Sequence, residues 1–324
     1  MKVCIYGAGA IGGWIGSGLA RAGCSVSAVA RSATLDALRL HGLRLAQGGQ
    51  VTSQAVASSD SPADLGVQDL VVLAVKAPSL LEVVRQIAPL LGPHTIVLTA
   101  MNGVPWWFLQ GFGGALADAR LTSVDPDGAL ADALPVRRII GCVVHASCSV
   151  DAPGLARHHF GNQLIVGEPS GEKTGRVLQL AALLEKSGFE TSVSGQIQKD
   201  IWFKLWGNMT VNPISALTGA TTDLIMNDEL VRGFISSVMR EAREIGARIG
   251  IPIVQQPEDR HQVTRKLGAF KTSMLQDVQA GRAVELDALV TVVKELGQLT
   301  QVQTPYTDAL LGLARLQARV LGLY

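Results

Sequence analysis

Short apolar runs alternate with helical segments along the first half of the chain. Four runs rich in β-branched residues are predicted as strands, at residues 2–7, 26–30, 69–75 and 95–100. Between them apolar residues recur at helical spacing, as in residues 11–22. Strands that are apolar throughout and alternate with helices are typical of a parallel sheet covered on both faces. The pattern therefore predicts an α/β domain built on a mostly parallel sheet.

The pattern changes after Arg138 and again near Gln196. Three further runs are predicted as strands of a mixed or antiparallel extension of the sheet, at residues 138–150, 157–168 and 190–194. Beyond them helical periodicity replaces strand patterns, at residues 228–249, 257–269, 284–299 and 304–320. We therefore expect two domains, an α/β domain at residues 1–194 and an all-helical domain at residues 195–324.

A glycine-rich turn, GAGAIG, follows the first strand and opens the first helix. Its first glycine allows a tight turn, the second lets the backbone approach a pyrophosphate, and the third allows close packing of helix on strand. The helix N-terminus offers unpaired N–H groups to phosphates. The turn predicts a Rossmann-type dinucleotide-binding domain; the alternative is a purely structural turn. Its candidate cofactor-binding residues are Gly7, Ala8, Gly9, Ala10, Ile11 and Gly12.

The ends of three strands indicate which cofactor binds and where. The second strand ends at Arg31, where NAD sites place an Asp or Glu, and a guanidinium suits a 2′-phosphate. NADPH is therefore expected, although a solvated Arg31 would leave the choice between NADPH and NADH open. Lys76 and Asn102 follow the next two strands, at the edge of the sheet where ligands bind. Both are candidate cofactor residues, and Asn102 could instead contact a substrate; ordinary loop positions are the alternative.

A polar stripe runs along the otherwise apolar helix predicted at residues 200–213, DIWFKLWGNMTVNP. Lys204, Asn208 and Asn212 recur at intervals of four and therefore share one face of the helix. Near the start of a later predicted helix lies Glu285. A lysine and a glutamate that converge beside a nicotinamide would suit carbonyl reduction, with the lysine protonating the oxygen. The alternative is an inter-helix salt bridge with solvated amides.

Composition narrows the class of protein. The chain has 324 residues, 48% of them hydrophobic, and a formal net charge of +1 without a basic run, so nucleic acid and anionic membranes are not expected partners. The longest apolar stretches are far shorter than a bilayer span. The four cysteines lack disulfide or metal spacing, and a strand beginning at Lys2 leaves no room for a signal peptide, so a cytoplasmic location is expected. A charged content of only 17% fits a homodimer.

Other kinds of site have little support in the sequence. His145, His158 and His159 lack the spacing of metal ligands, and the last two would point to opposite faces of a strand. No metal is therefore expected. The chain also has no serine-centred nucleophile elbow and no P-loop.

The motifs taken together resemble the ketopantoate reductases, which are NADPH-dependent 2-dehydropantoate 2-reductases of the 6-phosphogluconate dehydrogenase-like superfamily. The resemblance runs over nearly the whole chain, in GAGAIG, Arg31, AVK at Lys76, Asn102–Gly103, KLWGNMTVNP at residues 204–213, SMLQD at residues 273–277 and Glu285. It implies a Rossmann domain followed by a helical domain, with the active site in the cleft between them.

The resemblance also implies roles for individual residues. Lys204 would be the general acid on the C2 oxygen, and Glu285 would bind a substrate hydroxyl or Lys204. Asn208 and Asn212 would bind the distal end of the substrate. Ser273 would hold the substrate carboxylate, and Asn102 would lie where cofactor and substrate meet.

One segment departs from the family pattern. Residues 104–138 form a long insertion after the Asn102–Gly103 pair, and they carry Trp106, Trp107 and Phe108. A long loop without secondary structure is often functional. These aromatics could cover the substrate site and favour a bulkier or more apolar 2-oxo acid, or the insertion could simply be packed on the surface.

The sequence therefore predicts reduction of a 2-oxo acid to a 2-hydroxy acid with NADPH. The expected reaction is 2-dehydropantoate to (R)-pantoate, in pantothenate and coenzyme A biosynthesis. One alternative is a reductase of the same fold that acts on a bulkier or more apolar 2-oxo acid. The other is a non-catalytic NADP(H)-binding sensor, which would have no need of the Lys204–Glu285 pair.

Overall fold

The computed structural model describes residues 1–324 and forms two compact units. The first contains residues 1–101 and 128–197, and the second contains residues 102–127 and 198–324. The predicted fold class, an α/β part followed by a helical part, is confirmed. The division differs from the expected boundary in two respects, because residues 102–127 group with the helices and residues 195–197 group with the sheet.

The first unit is built on one ten-stranded sheet. Its strands are β1 (Lys2–Tyr6), β2 (Ser25–Val29), β3 (Leu43–Gln47), β4 (Gln50–Gln54), β5 (Ala57–Ser59), β6 (Gln68–Leu73), β7 (Leu91–Thr99), β8 (Ile139–Ala152), β9 (Leu155–Gly167) and β10 (Glu190–Val193). They lie in the order β4-β3-β9-β8-β7-β6-β1-β2-β5, and β10 pairs with β9. Only the β3–β4 and β8–β9 pairs are antiparallel, so the sheet is mostly parallel as predicted.

Five helices accompany the sheet. They are α1 (Ala10–Arg21), α2 (Ser32–His41), α3 (Leu80–Gln86), α4 (Ala129–Ala133) and α5 (Gly175–Lys186). Helix α1 packs so closely that a Cβ on Gly16 would lie 2.8 Å from the Ile5 side chain. Trp14, on the same helix, stacks on His158 and meets the edge of Phe189. The helix that follows the glycine-rich turn is therefore held rigidly on the sheet.

The sequence did not predict strands β3, β4 and β5. The β3–β4 hairpin turns at Gly48 and Gly49, which both have positive φ, as a two-residue hairpin turn requires. Strand β4 lies at the edge of the sheet and is largely polar and exposed. A polar edge strand lacks the apolar run by which the central strands were recognised.

The second unit is helical apart from residues 102–127. Its elements are α6 (Ile197–Thr218), α7 (Thr222–Asn227), α8 (Glu229–Arg248), α9 (Pro257–Arg265), α10 (Ser273–Gln279), a π-helix (Asp287–Thr291) that runs directly into α11 (Val292–Thr300), and α12 (Pro305–Val320). The helix predicted from residue 284 therefore begins with a π turn, a feature often found at functional sites. No helix is both long and apolar enough to cross a membrane.

Helix α6 is anchored by two tryptophans on one side. Trp202 and Trp206 are fully buried, and the Trp206 indole donates to the Met239 carbonyl of α8 at 2.7 Å. A Cβ on Gly246 of α8 would lie 2.4 Å from the Trp202 indole nitrogen, so the two helices are in close contact. At about 100° per residue, Lys204 lies on the opposite side of α6 from this tryptophan pair.

Residues 102–127 join the helical unit through an aromatic core. Trp106, Trp107 and Phe108 are at most 2% exposed, and the Phe108 ring packs 6.1 Å from that of Trp202. Their burial supports the alternative in which the insertion is packed against the rest of the protein. These three side chains are not exposed, so they do not form a cover over a substrate site. Burial of three large aromatics is also the reason why this segment groups with the helices.

A carboxylate holds the C-terminal part of residues 102–127 in place. Glu295 of α11 accepts hydrogen bonds from the backbone N–H and the hydroxyl groups of both Thr122 and Ser123. The N-terminal part is held by a backbone hydrogen bond, since the Val104 N–H donates to the Ala288 carbonyl at 2.8 Å. Both ends of the segment are therefore fixed to the π-helix and α11.

Gly103 is required where the segment meets the π-helix. Its φ is +81°, and a Cβ there would lie 2.4 Å from the Ala288 carbonyl oxygen. Gly113 has the same φ but has open space around it. Gly113→Ala should cost only the penalty of a left-handed backbone, about 1–2 kcal/mol. We expect Gly103→Ala to lower the free energy of unfolding by clearly more than this, because its Cβ would also clash with Ala288. Urea unfolding of the two variants measures this difference, and equal losses would contradict the tight contact.

Candidate functional site

The glycine-rich turn has the geometry of a phosphate-binding loop. Gly7 has a φ of +100°, and a Cβ there would lie 2.8 Å from Val75, while a Cβ on Gly12 would lie 2.0 Å from the Gly7 carbonyl oxygen. Both glycines are therefore needed for the turn itself. A Cβ on Gly9, the residue before α1, would have no atom within 4 Å. The space beside Gly9 is thus available to a ligand that approaches the helix N-terminus.

A cavity opens beside this turn in the first unit. Its volume is about 290 Å³, close to the lower end of ligand pockets, which span about 300–1,000 Å³. Four of the predicted cofactor residues line it, namely Gly7, Ala8, Gly9 and Arg31. The lining also includes residues that the sequence did not single out, among them Tyr6, Thr34, Asp60, Ser79, Glu82 and Gln86.

The remaining predicted cofactor residues lie outside the lining of this cavity. Ala10, Ile11 and Gly12 form the first turn of α1, where their backbone supports the phosphate loop. Lys76 follows the end of β6 and is half-buried. Asn102 belongs to the second unit.

Arg31 sits at the start of α2, and its guanidinium forms an ion pair with Glu82 in the first turn of α3. Both side chains are largely exposed. Tyr6 lies in the same lining, and burial is the main reason why the pKa of its hydroxyl is raised, with Glu82 adding to the effect and Arg31 opposing it. The Arg31 guanidinium in the lining of the cavity is therefore already paired with the Glu82 carboxylate.

The second unit brings Lys204 and Asn102 together. The Lys204 ammonium donates a hydrogen bond of 2.8 Å to the Asn102 side-chain oxygen, across 102 positions of the chain. Both side chains are half-buried. An asparagine amide that accepts from the ammonium fixes the direction of the lysine side chain.

Glu285 lies close in the fold to the same segment of chain. It precedes the π-helix by two residues, and Ala288 of that π-helix accepts the backbone hydrogen bond from Val104. The packing of Gly103 on Ala288 also brings the chain around Glu285 towards the Asn102 loop. Lys204 thus contacts Asn102 directly, and Glu285 lies three residues before Ala288, on which Gly103, the residue after Asn102, packs.

Asn208 and Asn212 continue the lysine side of α6 towards its C-terminal end. Asn212 is only 7% exposed, and neither side-chain amide makes a hydrogen bond within the protein, although the amide atoms of both residues reach solvent. A half-buried amide without a protein partner is costly unless water or a ligand satisfies it. Ser273, the first residue of α10, is exposed, and its hydroxyl makes no hydrogen bond within the protein either.

Arg260 is a half-buried cation near α6 that sequence patterns do not reveal. Its guanidinium lies over the Phe203 ring, 5.8 Å from the centroid, and fills the space that a side chain on Gly207 would need. Its Nε is buried without a hydrogen-bond partner, and burial lowers the pKa of the group. In PEDRHQVTRK, Arg260 is one of several charged residues on a short helix, so only the three-dimensional packing distinguishes it.

The histidines considered as metal ligands have other contacts. His158 stacks on Trp14 and bonds the Gly161 carbonyl, and His159 bonds the Ser149 hydroxyl. No group of three or more His, Cys, Asp or Glu side chains in the chain has an arrangement that could hold a metal ion.

Comparison with known proteins places the chain among ketopantoate reductases. The family model "Ketopantoate reductase PanE/ApbA" matches residues 3–171, and the model of its C-terminal part matches residues 196–318. A 2-dehydropantoate 2-reductase of Mesorhizobium japonicum is 47% identical over 325 aligned residues that cover 100% of both chains. The end-to-end match indicates that the long segment after Asn102 is shared with this relative.

Solved structures show the same relationship. A structure from Ralstonia solanacearum MolK2, provisionally described as a ketopantoate reductase, is 52% identical and superposes with a TM-score of 0.96 over 100% of this chain and 99% of its own. The 2-dehydropantoate 2-reductase of Methylococcus capsulatus is 26% identical, with a TM-score of 0.83 over 99% of this chain and 98% of its own.

Substitutions of Gly9 and Gly12 separate an effect on ligand binding from an effect on protein stability. Gly9→Ala meets no protein atom, so we expect a nearly unchanged melting temperature but at least about tenfold weaker NADPH binding, because the methyl group would occupy space needed by a pyrophosphate. Gly12→Ala would place a Cβ 2.0 Å from the Gly7 carbonyl oxygen and should lower the melting temperature itself. Thermal unfolding and a fluorescence titration with NADPH measure both effects; unchanged NADPH affinity in Gly9→Ala would contradict the assignment.

Proposed function

The chain belongs to the ketopantoate reductase family, and we propose that it reduces 2-dehydropantoate to (R)-pantoate with NADPH, a step of pantothenate and coenzyme A biosynthesis. The observation that carries the proposal is the arrangement around Lys204. A lysine held by Asn102 shares its side of α6 with two amides that have no protein partner. Such a set of donors and acceptors suits a small polar acid.

Lys204 is proposed as the general acid. The C2 carbon of the 2-oxo acid would accept the hydride that NADPH supplies when the glycine-rich turn and Arg31 hold it. The Lys204 ammonium donates a proton to the oxygen on that carbon, and water then returns a proton to the lysine. Asn102 accepts one hydrogen bond from the ammonium and so keeps the side chain aligned. The net reaction consumes one hydride and one proton and produces a 2-hydroxy acid.

The other polar residues are proposed to bind the substrate. Asn208 and Asn212 would bind its distal end, which is supported by their place on the lysine side of α6 without a hydrogen bond to the protein. Ser273 would hold the carboxylate, and its exposed hydroxyl at the start of α10 is available for this. Glu285 would bind a substrate hydroxyl or Lys204.

NADPH is proposed as the cofactor in preference to NADH. The residues of the first unit fit a dinucleotide, since the space beside Gly9 admits a pyrophosphate and the cavity beyond it leads to Arg31. A guanidinium can bind a 2′-phosphate with paired charge-assisted hydrogen bonds. Lys76 is proposed as a further cofactor contact, from its place after the end of β6.

Assembly and location are proposed along with the activity. A homodimer is supported by apolar side chains on one stripe of α12, where Leu313, Leu316 and Val320 are 62–78% exposed. Light scattering of the purified protein measures the mass of the assembly. A cytoplasmic location follows from the proposed biosynthetic role and the free cysteines.

Substitution of Lys204 tests the mechanism. Lys204→Ala is expected to lower kcat by about 10²–10⁴-fold, the usual contribution of a general acid, while NADPH binding is retained. Lys199→Ala is the matched control, because Lys199 is an exposed lysine on the same helix. Steady-state kinetics and NADPH titrations measure the two properties separately. Turnover that survives in Lys204→Ala would show that another group protonates the oxygen.

A panel of 2-oxo acids tests the substrate. Because Trp106, Trp107 and Phe108 are core residues, they do not argue for an unusually bulky or apolar substrate. We therefore expect 2-dehydropantoate to give the highest kcat/KM in a panel that also contains smaller, branched and aromatic 2-oxo acids. If an aromatic 2-oxo acid is preferred, the family reaction is not the main activity of this chain; if none is reduced, the protein acts as an NADP(H)-binding sensor.

A further inference from the structure

Glu82 places a negative charge beside the arginine that is proposed to bind the 2′-phosphate of NADPH. It lines the cavity beside the glycine-rich turn, and its carboxylate pairs with Arg31, the cation proposed to bind the 2′-phosphate. We propose that Glu82 sets the cofactor preference of this protein by competing with the 2′-phosphate for Arg31 and by offering an acceptor to the ribose hydroxyl of NADH. This inference rests on the proposed dinucleotide site.

The competition follows from the contacts of the two side chains. The ion pair with Glu82 is the single polar contact of the Arg31 guanidinium within the protein, and Glu82 likewise has no other partner. The pair joins the start of α2 to the first turn of α3, so it spans the cavity mouth between two separate elements. A 2′-phosphate that engages Arg31 must therefore displace Glu82 or share the cation with it.

The ion pair can be broken at little cost. The side chains are 61% and 47% exposed, and ion pairs of this exposure contribute little to stability. A phosphate monoester carries a charge of about −1.5 to −2 and is a stronger partner for a guanidinium than one carboxylate. NADPH can thus bind, but the carboxylate of Glu82 stays nearby and repels the phosphate.

For NADH the same carboxylate is favourable. NAD sites use an Asp or Glu to accept a hydrogen bond from the ribose 2′-hydroxyl, and the end of β2 lacks such a residue. Glu82 supplies a carboxylate beside Arg31 from a different part of the chain. The cavity therefore contains a guanidinium suited to the 2′-phosphate of NADPH and a carboxylate suited to the ribose hydroxyl of NADH. Glu82 thus reduces the difference in affinity by which Arg31 favours NADPH over NADH.

Asp60 provides a matched control for the loss of the Glu82 charge. Asp60 lines the same cavity, is exposed, and makes no ion pair or side-chain hydrogen bond within the protein. Glu82→Gln and Asp60→Asn remove the same charge from the same cavity, but only the first frees Arg31. Their comparison separates the specific competition from a general loss of negative charge.

The experiment is a set of fluorescence titrations with NADPH and NADH in the absence of substrate. Glu82→Gln should bind NADPH about tenfold more tightly than the parent protein, with NADH binding unchanged or weaker, so that the ratio of the two affinities rises. Asp60→Asn should change the NADPH affinity several-fold less. In an Arg31→Ala background, Glu82→Gln should have less than half of its effect on NADPH, because no cation remains to be freed.

The outcomes that overturn the inference differ from those that overturn the proposed cofactor. An unchanged affinity ratio in Glu82→Gln, or an equal gain in Asp60→Asn, overturns the role of Glu82 while NADPH binding by the parent protein still supports the site. If the parent protein binds neither cofactor, the dinucleotide site and this inference both fall.

Discussion

The hydrogen bond between Lys204 and Asn102 is the interaction on which the second unit's polar site depends. It joins the middle of α6 to the first residue of a segment that has no regular structure. A lysine on a helix has many rotamers, and a single acceptor at 2.8 Å selects among them. Because Asn102 is itself in a loop, its position must be held by the residues that come after it in the chain.

The packing of residues 102–127 supplies that support. Gly103 fits against Ala288, Val104 bonds to it, and buried aromatics come directly after. Full burial of one large apolar side chain contributes about 1.5–3 kcal/mol, which offsets part of the entropy lost in ordering the loop. The aromatic residues that looked like a cover for a substrate thus hold the asparagine that orients the lysine. This explains why a long segment between two strands belongs to the helical unit.

The sequence predicted those features that depend on local pattern. The apolar strands, the glycine-rich turn and the spacing of Lys204, Asn208 and Asn212 each arise from neighbouring residues, and the structure contains all of them. The grouping of residues 102–127 with the helices could not be predicted, because it depends on contacts such as that between Ser123 and Glu295, 172 positions apart. The pairing of Arg31 with Glu82, 51 positions apart, and the burial of Arg260 are hidden for the same reason.

The partly buried carboxylates and amides of the second unit differ in how many hydrogen bonds the protein makes to them. Glu295 and Glu241 each accept several hydrogen bonds from loop or helix termini, and both clearly serve the architecture. Asn208 and Asn212 have comparable burial, but their side-chain amides make no hydrogen bond within the protein. Missing partners alone do not indicate a binding surface, because core groups such as the Trp107 and Trp202 indole nitrogens are also buried without a hydrogen bond. The two amides differ from these core groups in that their atoms reach solvent beside Lys204, as contact with water or with a polar ligand requires.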